Sequence, residues 1–425
     1  MKRTPSKIVK YAGAVAANCI GAGVSLAQCT GVWVNSPTGF NGVVHALTSW
    51  DPDGGGPAAP VLVAGGDFTN ASSVAAQHIA QWSGSAWQSL GSGIGGAFDS
   101  VYALASFNNQ LFAGGFFAAG GVNSVARWTG SAWQGLGSGV AGQVNAMTVY
   151  GNQLIVAGSF SSAGGTTVQN IAAWNGTTWS ALGTGIGGDV YALAVLGNDL
   201  YAAGFFSSAG GNPANNIARW NGSSWSAVGS GLNDTVNALA VYNNQLHAGG
   251  FHNILANAGV ARWTGAVWQP LGVGVDNTVH ALAAYNGELL VGGRFQSAGG
   301  SPANYIARWN GTAWNNLGSA GIGGSGNPDV RALTVHAGLL TMGGDFTTAN
   351  GAGALRWARW GCQACYPNCD SSTVAPVLNV NDFICFQSKF AAGDTYANCD
   401  GSTTAPILNV NDFICFQASF AAGCP

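Results

Sequence analysis

The sequence predicts an all-β fold made of seven copies of a four-stranded unit, followed by a small helical module. Three observations carry this. Of 425 residues only 7% are charged, while Gly reaches 67 and Trp 16, a mix that suits short strands joined by tight turns rather than helices or disorder. A unit of about 46 residues recurs from residue 42 to residue 360. Beyond it, residues 368–393 and 398–423 are near copies of one another, offset by 30.

The first 27 residues have the make-up of a secretory signal: basic Lys2, Arg3, Lys7 and Lys10, an apolar run from Tyr11 to Leu26, and small Ser25 and Ala27 before Gln28. Gln28 stands where a lipoprotein signal places a small residue, which disfavours lipid attachment at Cys29. No later segment is long and apolar enough to span a bilayer, so the mature chain is expected outside the cell or at its surface. Loss of the signal leaves nine basic residues against 16 acidic ones, which argues against nucleic acid as a partner. It also removes Cys19, and the eight remaining cysteines, an even number in an exported chain, read as disulfides. Seven of the eight follow residue 360, where a small, core-poor module needs covalent support.

Each repeat has four parts. A V-x-A-L run begins at Val44, Val101, Val144, Val190, Val236, Val279 and Val330, with Met147 replacing the leucine once. An apolar run ending in a small pair and an aromatic comes next, from Leu62–Phe68 in the first copy to Leu340–Phe346 in the last, with His252 in place of the aromatic in the fifth. The third part ends at Trp82, Trp128, Trp174, Trp220, Trp263, Trp309 and Trp360, usually as Ala-Arg-Trp. The fourth carries Trp87, Trp133, Trp179, Trp225, Trp268 and Trp314, each followed by a Leu-Gly or Val-Gly step, and has no copy after Trp360. Pairs such as Asn175-Gly176, Asn221-Gly222 and Asn310-Gly311 between the last two parts suit a two-residue hairpin turn that needs positive φ. The same triplets match glycosylation sequons, but turn chemistry accounts for them.

Four strands joined by hairpins make a propeller blade, so the repeats read as a seven-bladed β-propeller. Its missing outer strand is found at the other end of the chain, where Trp33 precedes the first V-x-A-L run. An N-terminal strand over about residues 30–36 is expected to pair with the strand ending at Trp360 and close the ring. Cys29 then lies beside Cys362, and a Cys29–Cys362 disulfide would constrain the unfolded chain by roughly 4 kcal/mol in the loop-entropy model. The tryptophans are expected to pack one blade on the next. Arg127, Arg219, Arg262, Arg308 and Arg359 are expected to lie along those rings or pair with turn carbonyls. With an apolar strand ending in Gly-Gly and a tryptophan one hairpin later, the pattern resembles kelch-like propellers, and more closely secreted repeats of the form AGG..AN.IARW.G..W..LG.G. That resemblance implies architecture and not activity.

Function in a repeat protein sits where the copies differ, and two columns vary. The residue between Val and Ala of the first part is His45, Tyr102, Asn145, Tyr191, Asn237, His280 or Arg331, and alternation aims it away from its neighbours, towards a central channel. The residue before the aromatic of the second part is Asp67, Phe116, Ser159, Phe205, Phe251, Arg294 or Asp345. One side of the ring is thus charged and the other aromatic, an arrangement suited to a polar ligand such as a glycan or peptide; a water-filled polar lining is the plainer reading. No catalytic residue is assigned. Asp67 with Asp345 is the carboxylate pair that glycoside hydrolysis would need, which keeps a carbohydrate-active enzyme as the alternative.

The C-terminal copies read NCDSSTVAPVLNVNDFICFQSKFAAG and NCDGSTTAPILNVNDFICFQASFAAG. Oxygen-bearing residues at alternate positions lead into Phe383, Phe386 and Phe390, or Phe413, Phe416 and Phe420, at helical spacing. The pair resembles the bacterial GC-type dockerin-like domain, which implies two calcium loops. Their ligands would fall on Asn368, Asp370, Ser372, Asn379 and Asp382, then on Asn398, Asp400, Ser402, Asn409 and Asp412. Each loop is three residues longer than twelve and offers two carboxylates, and helix capping by Asp382 and Asp412 is the other reading. Cys369 with Cys385 and Cys399 with Cys415 bracket the two copies, leaving Cys365 for Cys424; zinc at Cys362, Cys365 and Cys369 is the competing use. The resemblance implies docking to a cohesin-type or cell-surface partner. The expected organisation is a signal over 1–27, a propeller over 28–361 and a dockerin-like module over 362–425.

Overall fold

The computed structural model describes residues 31–34, 38–96, 99–119, 121–251, 253–255, 258–361 and 380–391. The chain divides into two compact units, Thr30–Ala364 and a second made of Met1–Cys29 with Cys365–Pro425. The larger unit is all β. Its first sheet is a meander of Val44–Trp50, Val61–Gly66, Ile79–Trp82 and Trp87–Ser89, antiparallel throughout. Five more sheets repeat this order from the inner strands Ser100–Phe107, Val140–Tyr150, Ile186–Leu196, Val236–Tyr242 and Val279–Tyr285. The seventh runs Asp329–His336, Leu339–Asp345, Trp357–Gly361, and its outer strand is Val32–Val34, with Trp33 opposite Trp360. Each inner strand packs on the next, and that of the seventh sheet packs on that of the first. The array is propeller-like.

A β-bulge explains why every unit keeps a glycine opposite its valine, as the second of a Gly-Gly pair in five units and after Ala157 and Ala203 in the third and fourth. In all seven sheets the ladder slips between the valine and alanine of V-x-A-L, as between Val44 and Ala46. The intervening residue, such as His45, is the extra one, so its direction comes from the bulge and not from simple alternation. The slip drives a carbonyl against the partner strand: a Cβ on Gly66 would strike the oxygen of Val43, and Gly344 meets Asp329 in the same way. The preceding glycine serves the sheet interface. A Cβ on Gly65, Gly114, Gly249 or Gly292 would lie 2.5–2.6 Å from a valine methyl of the following sheet.

The paired tryptophans do what the repeat implies. Trp174 faces Trp179 across its hairpin, and the clusters they anchor mix neighbouring sheets, Phe112 and Val125 of the second with Leu154 and Val156 of the third. Except for Trp87, whose buried indole N–H has no partner among the described residues, each outer tryptophan also donates its indole N–H to the Leu-Gly or Val-Gly step of the sheet before: Trp179 to Leu136 O at 3.0 Å, Trp225 to Leu182 O at 2.9 Å, Trp314 to Leu271 O at 2.8 Å. Each such buried bond contributes about 1 kcal/mol. Trp33 makes the equivalent bond to Leu317 O at 3.2 Å.

Two local expectations are corrected. The central pair of the Asn-Gly hairpins is Gly176-Thr177, not Asn175-Gly176: Asn175 N donates to Thr178 O at 3.2 Å and only the glycine has positive φ. Asn175 instead accepts the backbone N–H groups of Thr177 and Thr178 on its side-chain oxygen, an Asx-turn role repeated by Asn221 and Asn310. Several repeated arginines pair with side chains rather than carbonyls or rings: Arg127 with Gln134, Arg262 with Gln269, Arg219 with Asp199. Arg359 does stack, lying 5.3 Å from Trp82 and 5.2 Å from Trp357.

In the smaller unit a helix spans Val380–Ala391. Phe386 is buried on it and meets Phe390 at 6.0 Å, as the spacing predicts. The helix starts at Val380, which places Asp382 inside the first turn rather than at the cap position.

Candidate functional site

Residues of the seven V-x-A-L runs line one cavity of about 220 Å³. His45, Tyr102, Asn145 and Arg331 of the first predicted column line it, with Leu47, Leu104, Met147, Leu193, Leu239, Leu282 and Leu333 contributing the apolar part. Asn145 and Asn237 also bridge sheets, donating to Val190 O at 3.1 Å and Val279 O at 3.0 Å. His45 presents its ring edge-on to Tyr102, 5.0 Å between centroids.

The charged residues of both columns join in one network across four sheets. Asp329 is fully buried and accepts from Arg331 Nε at 3.0 Å, Arg294 Nε at 3.2 Å and the backbone N–H of Asp345 at 3.1 Å. Arg331 Nη1 reaches His45 Nδ1 at 3.3 Å, His45 Nε2 meets Asp67 Oδ1 at 2.9 Å, and Ser100 donates to the same oxygen at 2.6 Å. Asp345 accepts from Arg356, which also donates to Phe40 O. Of the carboxylate pair considered for hydrolysis, Asp345 is therefore ion-paired with Arg356, and Asp67 is held by hydrogen bonds to His45 and Ser100.

This network sets the ionisation of its members. Burial would raise Asp67, but hydrogen bonds from His45 and Ser100 outweigh it and hold the carboxyl below its ordinary value. Burial likewise opposes, and Arg331 reverses, the shift at Asp329, which ends lowered. His280 is driven down to about 4, mainly by burial, with Arg331 and Arg294 adding to the effect against the pull of Asp329.

The aromatic side of the second column stays uncovered. Phe116, Phe205 and Phe251 are 55%, 60% and 43% exposed. Two cavities open beside them. One of about 580 Å³ holds Phe205 with Asp189, Asn215 and Asn233; the other, about 570 Å³, holds Phe251 with Arg294, Gln296 and Tyr305.

Two further columns escape a reading of motifs alone. The residue before each V-x-A-L valine lies beside the second column, and it is Ser100, Asp189 and Asp329 in the second, fourth and seventh sheets. Its signal is that it varies in polarity while the valine does not. The other column is a left-handed position that precedes the third strand: His78, Asn170, Asn216, Gly259, Tyr305 and Arg356 all have φ between 59° and 73°. Asn170 and Asn216 fill it structurally, each accepting a backbone N–H and donating to a carbonyl. Large side chains there cost on the order of 1 kcal/mol or more, yet Tyr305 and Arg356 occupy it beside the functional columns.

Among the described residues no cluster of three His, Cys, Asp or Glu side chains is placed to hold a metal. Asn368, Asp370, Ser372, Asn379, Asn398, Asp400, Ser402, Asn409 and Asp412 lie outside the described residues, as do Cys29, Cys362, Cys365, Cys369, Cys399, Cys415 and Cys424. Cys385, on the helix, is disulfide-bonded. Among the described residues no helix is long and apolar enough to cross a membrane.

Residues 129–282 match the Rax2 C-terminal β-propeller domain family, and residues 286–311 match a β-propeller domain of unknown function, DUF5122. The chain is a β-propeller protein. No curated protein matches it. Solved structures similar to the propeller include the computationally designed Ika8 protein, 17% identical, with 76% of this chain and 98% of that one covered at a TM-score of 0.45. The WD40 β-propeller domain of Doa1 is 12% identical over 80% of this chain and 96% of its own, TM-score 0.46. The extracellular domain of BT4673 from B. thetaiotaomicron is 10% identical over 81% of this chain, which spans only 41% of that one, TM-score 0.49.

Proposed function

We propose that this chain is an exported binding or scaffolding protein whose seven sheets are the blades of one ring, closed by Val32–Val34. The face that carries the second column takes a polar ligand, a glycan or a peptide. The observation that carries this reading is the exposure of Phe116, Phe205 and Phe251 at repeat positions where Asp67, Arg294 and Asp345 are tied into a charged network. Rings left this exposed contribute little stability where they stand, and beside fixed hydrogen-bonding groups they form an amphipathic recognition surface. Probing glycan and peptide arrays with the Phe116→Ala, Phe205→Ala, Phe251→Ala triple variant tests it. Loss of the wild-type signal, with the melting temperature unchanged, is expected; a signal equal to wild type overturns the reading.

Anchoring falls to the C-terminal duplication, proposed as a dockerin-like module that holds calcium in its two loops and docks to a cohesin-type or cell-surface partner. The duplicated Asn-Cys-Asp start and Asn-Asp pair supply the oxygen ligands. Calorimetric titration of the mature protein is expected to show calcium binding that Asp382→Ala plus Asp412→Ala abolishes. Absence of binding at millimolar calcium removes calcium from the scheme.

A further inference from the structure

Of the two cavities beside the exposed phenylalanines, the one in the fourth sheet has the more definite chemistry. Asp189, on the inner strand Ile186–Leu196, lies directly across from Phe205 on Asp199–Ala209, so a carboxylate and a 60% exposed ring share one cavity wall. The volume, about 580 Å³, falls within the range of small-ligand sites. From the rest of the lining Asn215, Ser207 and Asn233 add amide and hydroxyl groups, and no cation is among the lining residues.

The polar groups are only partly used. Asp189 takes one bond from the Tyr191 hydroxyl at 3.3 Å, on one of its two oxygens. Burial and the carboxylate of Asp189 both raise Tyr191, so that hydroxyl stays a donor and keeps the Asp189 side chain oriented. Asn215 donates to Ser230 O at 3.3 Å, which leaves its carbonyl oxygen to accept. The side chains of Ser207 and Asn233 have no hydrogen-bond partner among the described residues. An acceptor-only carboxylate beside amides that both donate and accept suits a ligand rich in vicinal hydroxyls, which themselves do both. The apolar ring face beside them suits the C–H face of a pyranose. A carboxylated or phosphorylated ligand would meet Asp189 with no cation in the lining to offset it.

We infer that this cavity is a subsite for a neutral saccharide, with one sugar ring stacked on Phe205 and its hydroxyls held by Asp189 and the neighbouring asparagines. The inference rests on the reading of this face as a ligand-binding surface and narrows it to one cavity and one ligand class. The cavity at Phe251 differs in carrying a cation beside its acid: Arg294, 47% exposed with its Nε held by the buried Asp329, lines it together with Asp276.

The test uses the mature protein against neutral oligosaccharides, uronate-containing oligosaccharides and lysine-rich peptides, followed by titration of the strongest binder. Phe205→Ala and Asp189→Asn are each expected to weaken neutral-saccharide binding about tenfold or more. Phe205 is exposed, so its truncation leaves the fold intact, and an unshifted melting temperature verifies this. Neutral-saccharide binding that survives Phe205→Ala and Asp189→Asn overturns the inference and leaves the general reading standing. Binding confined to uronates or lysine-rich peptides does the same. Failure of all three ligand classes to bind the wild type overturns both.

Discussion

His280 sits where a charge is least favoured. Arg331, Arg294 and His45 face it with Asp329, it is largely buried, and its Nε2 has no hydrogen-bond partner among the described residues. Its folded pKa of about 4 lies below the ordinary 6.5, so the folded protein keeps it neutral while the unfolded chain takes up a proton. Above pH 6.5 both states are neutral and His280 adds no pH dependence. Below it the unfolded state gains, and stability falls until the folded residue also titrates, by roughly 3 kcal/mol in all. Asp67 and Asp329, with lowered pKa values, hold their contribution throughout this window and lose it only on further acidification. Urea unfolding at pH 7.0, 5.5 and 4.5 is expected to show wild-type stability declining across the series and His280→Gln declining less, with His247 and His336, also lowered by burial, carrying the remainder. Parallel declines would mean that His280 does not carry the dependence.

At the scale of the strand and hairpin, legibility followed how directly a residue type reports its own environment. The tryptophan pairs were fully legible, because a large ring recurring five residues after another has few places to go but a hairpin interface, as in Trp82 with Trp87. The second column was legible because Asp67, Phe205 and Arg294 break an otherwise uniform apolar run. The bulge at His45 was not, since its signal lies on the partner strand, in Gly65 and Gly66, and a glycine pair reads first as the end of a run. Asp329 was missed for a related reason: it precedes its motif, where copies vary as loops do, yet it is the buried anion that orients Arg294 and Arg331. Tyr305 and Arg356 required backbone angles, because a column of His, Asn and Gly reads as a turn until all its members prove left-handed.

At the scale of the molecule, stability depends on how the seventh sheet is completed. Along the inner edge, Gly343 packs against a methyl of Val44 just as Gly65 packs against Val101, so the seventh and first sheets meet through the contact that Gly65, Gly114, Gly249 and Gly292 make elsewhere. At the outer edge, among the described residues, Val32–Val34 complete the seventh sheet. Trp33 there repeats both roles of the outer tryptophans, pairing with Trp360 and bonding to Leu317 O of the sixth sheet. If these strands complete a ring, loss of Trp33 frees the edge strand Trp357–Gly361 and loosens the sixth sheet as well. Trp33→Ala is then expected to lower stability by about 2–4 kcal/mol, less than a fully buried tryptophan because the ring is only half-buried, and to speed proteolysis after residue 340. If instead Val32–Val34 is a surface appendage, the substitution behaves as an exposed change, within about 0.5 kcal/mol of wild type. Denaturant midpoints of the two proteins separate these outcomes, and the smaller shift would remove the N-terminal strand from the ring.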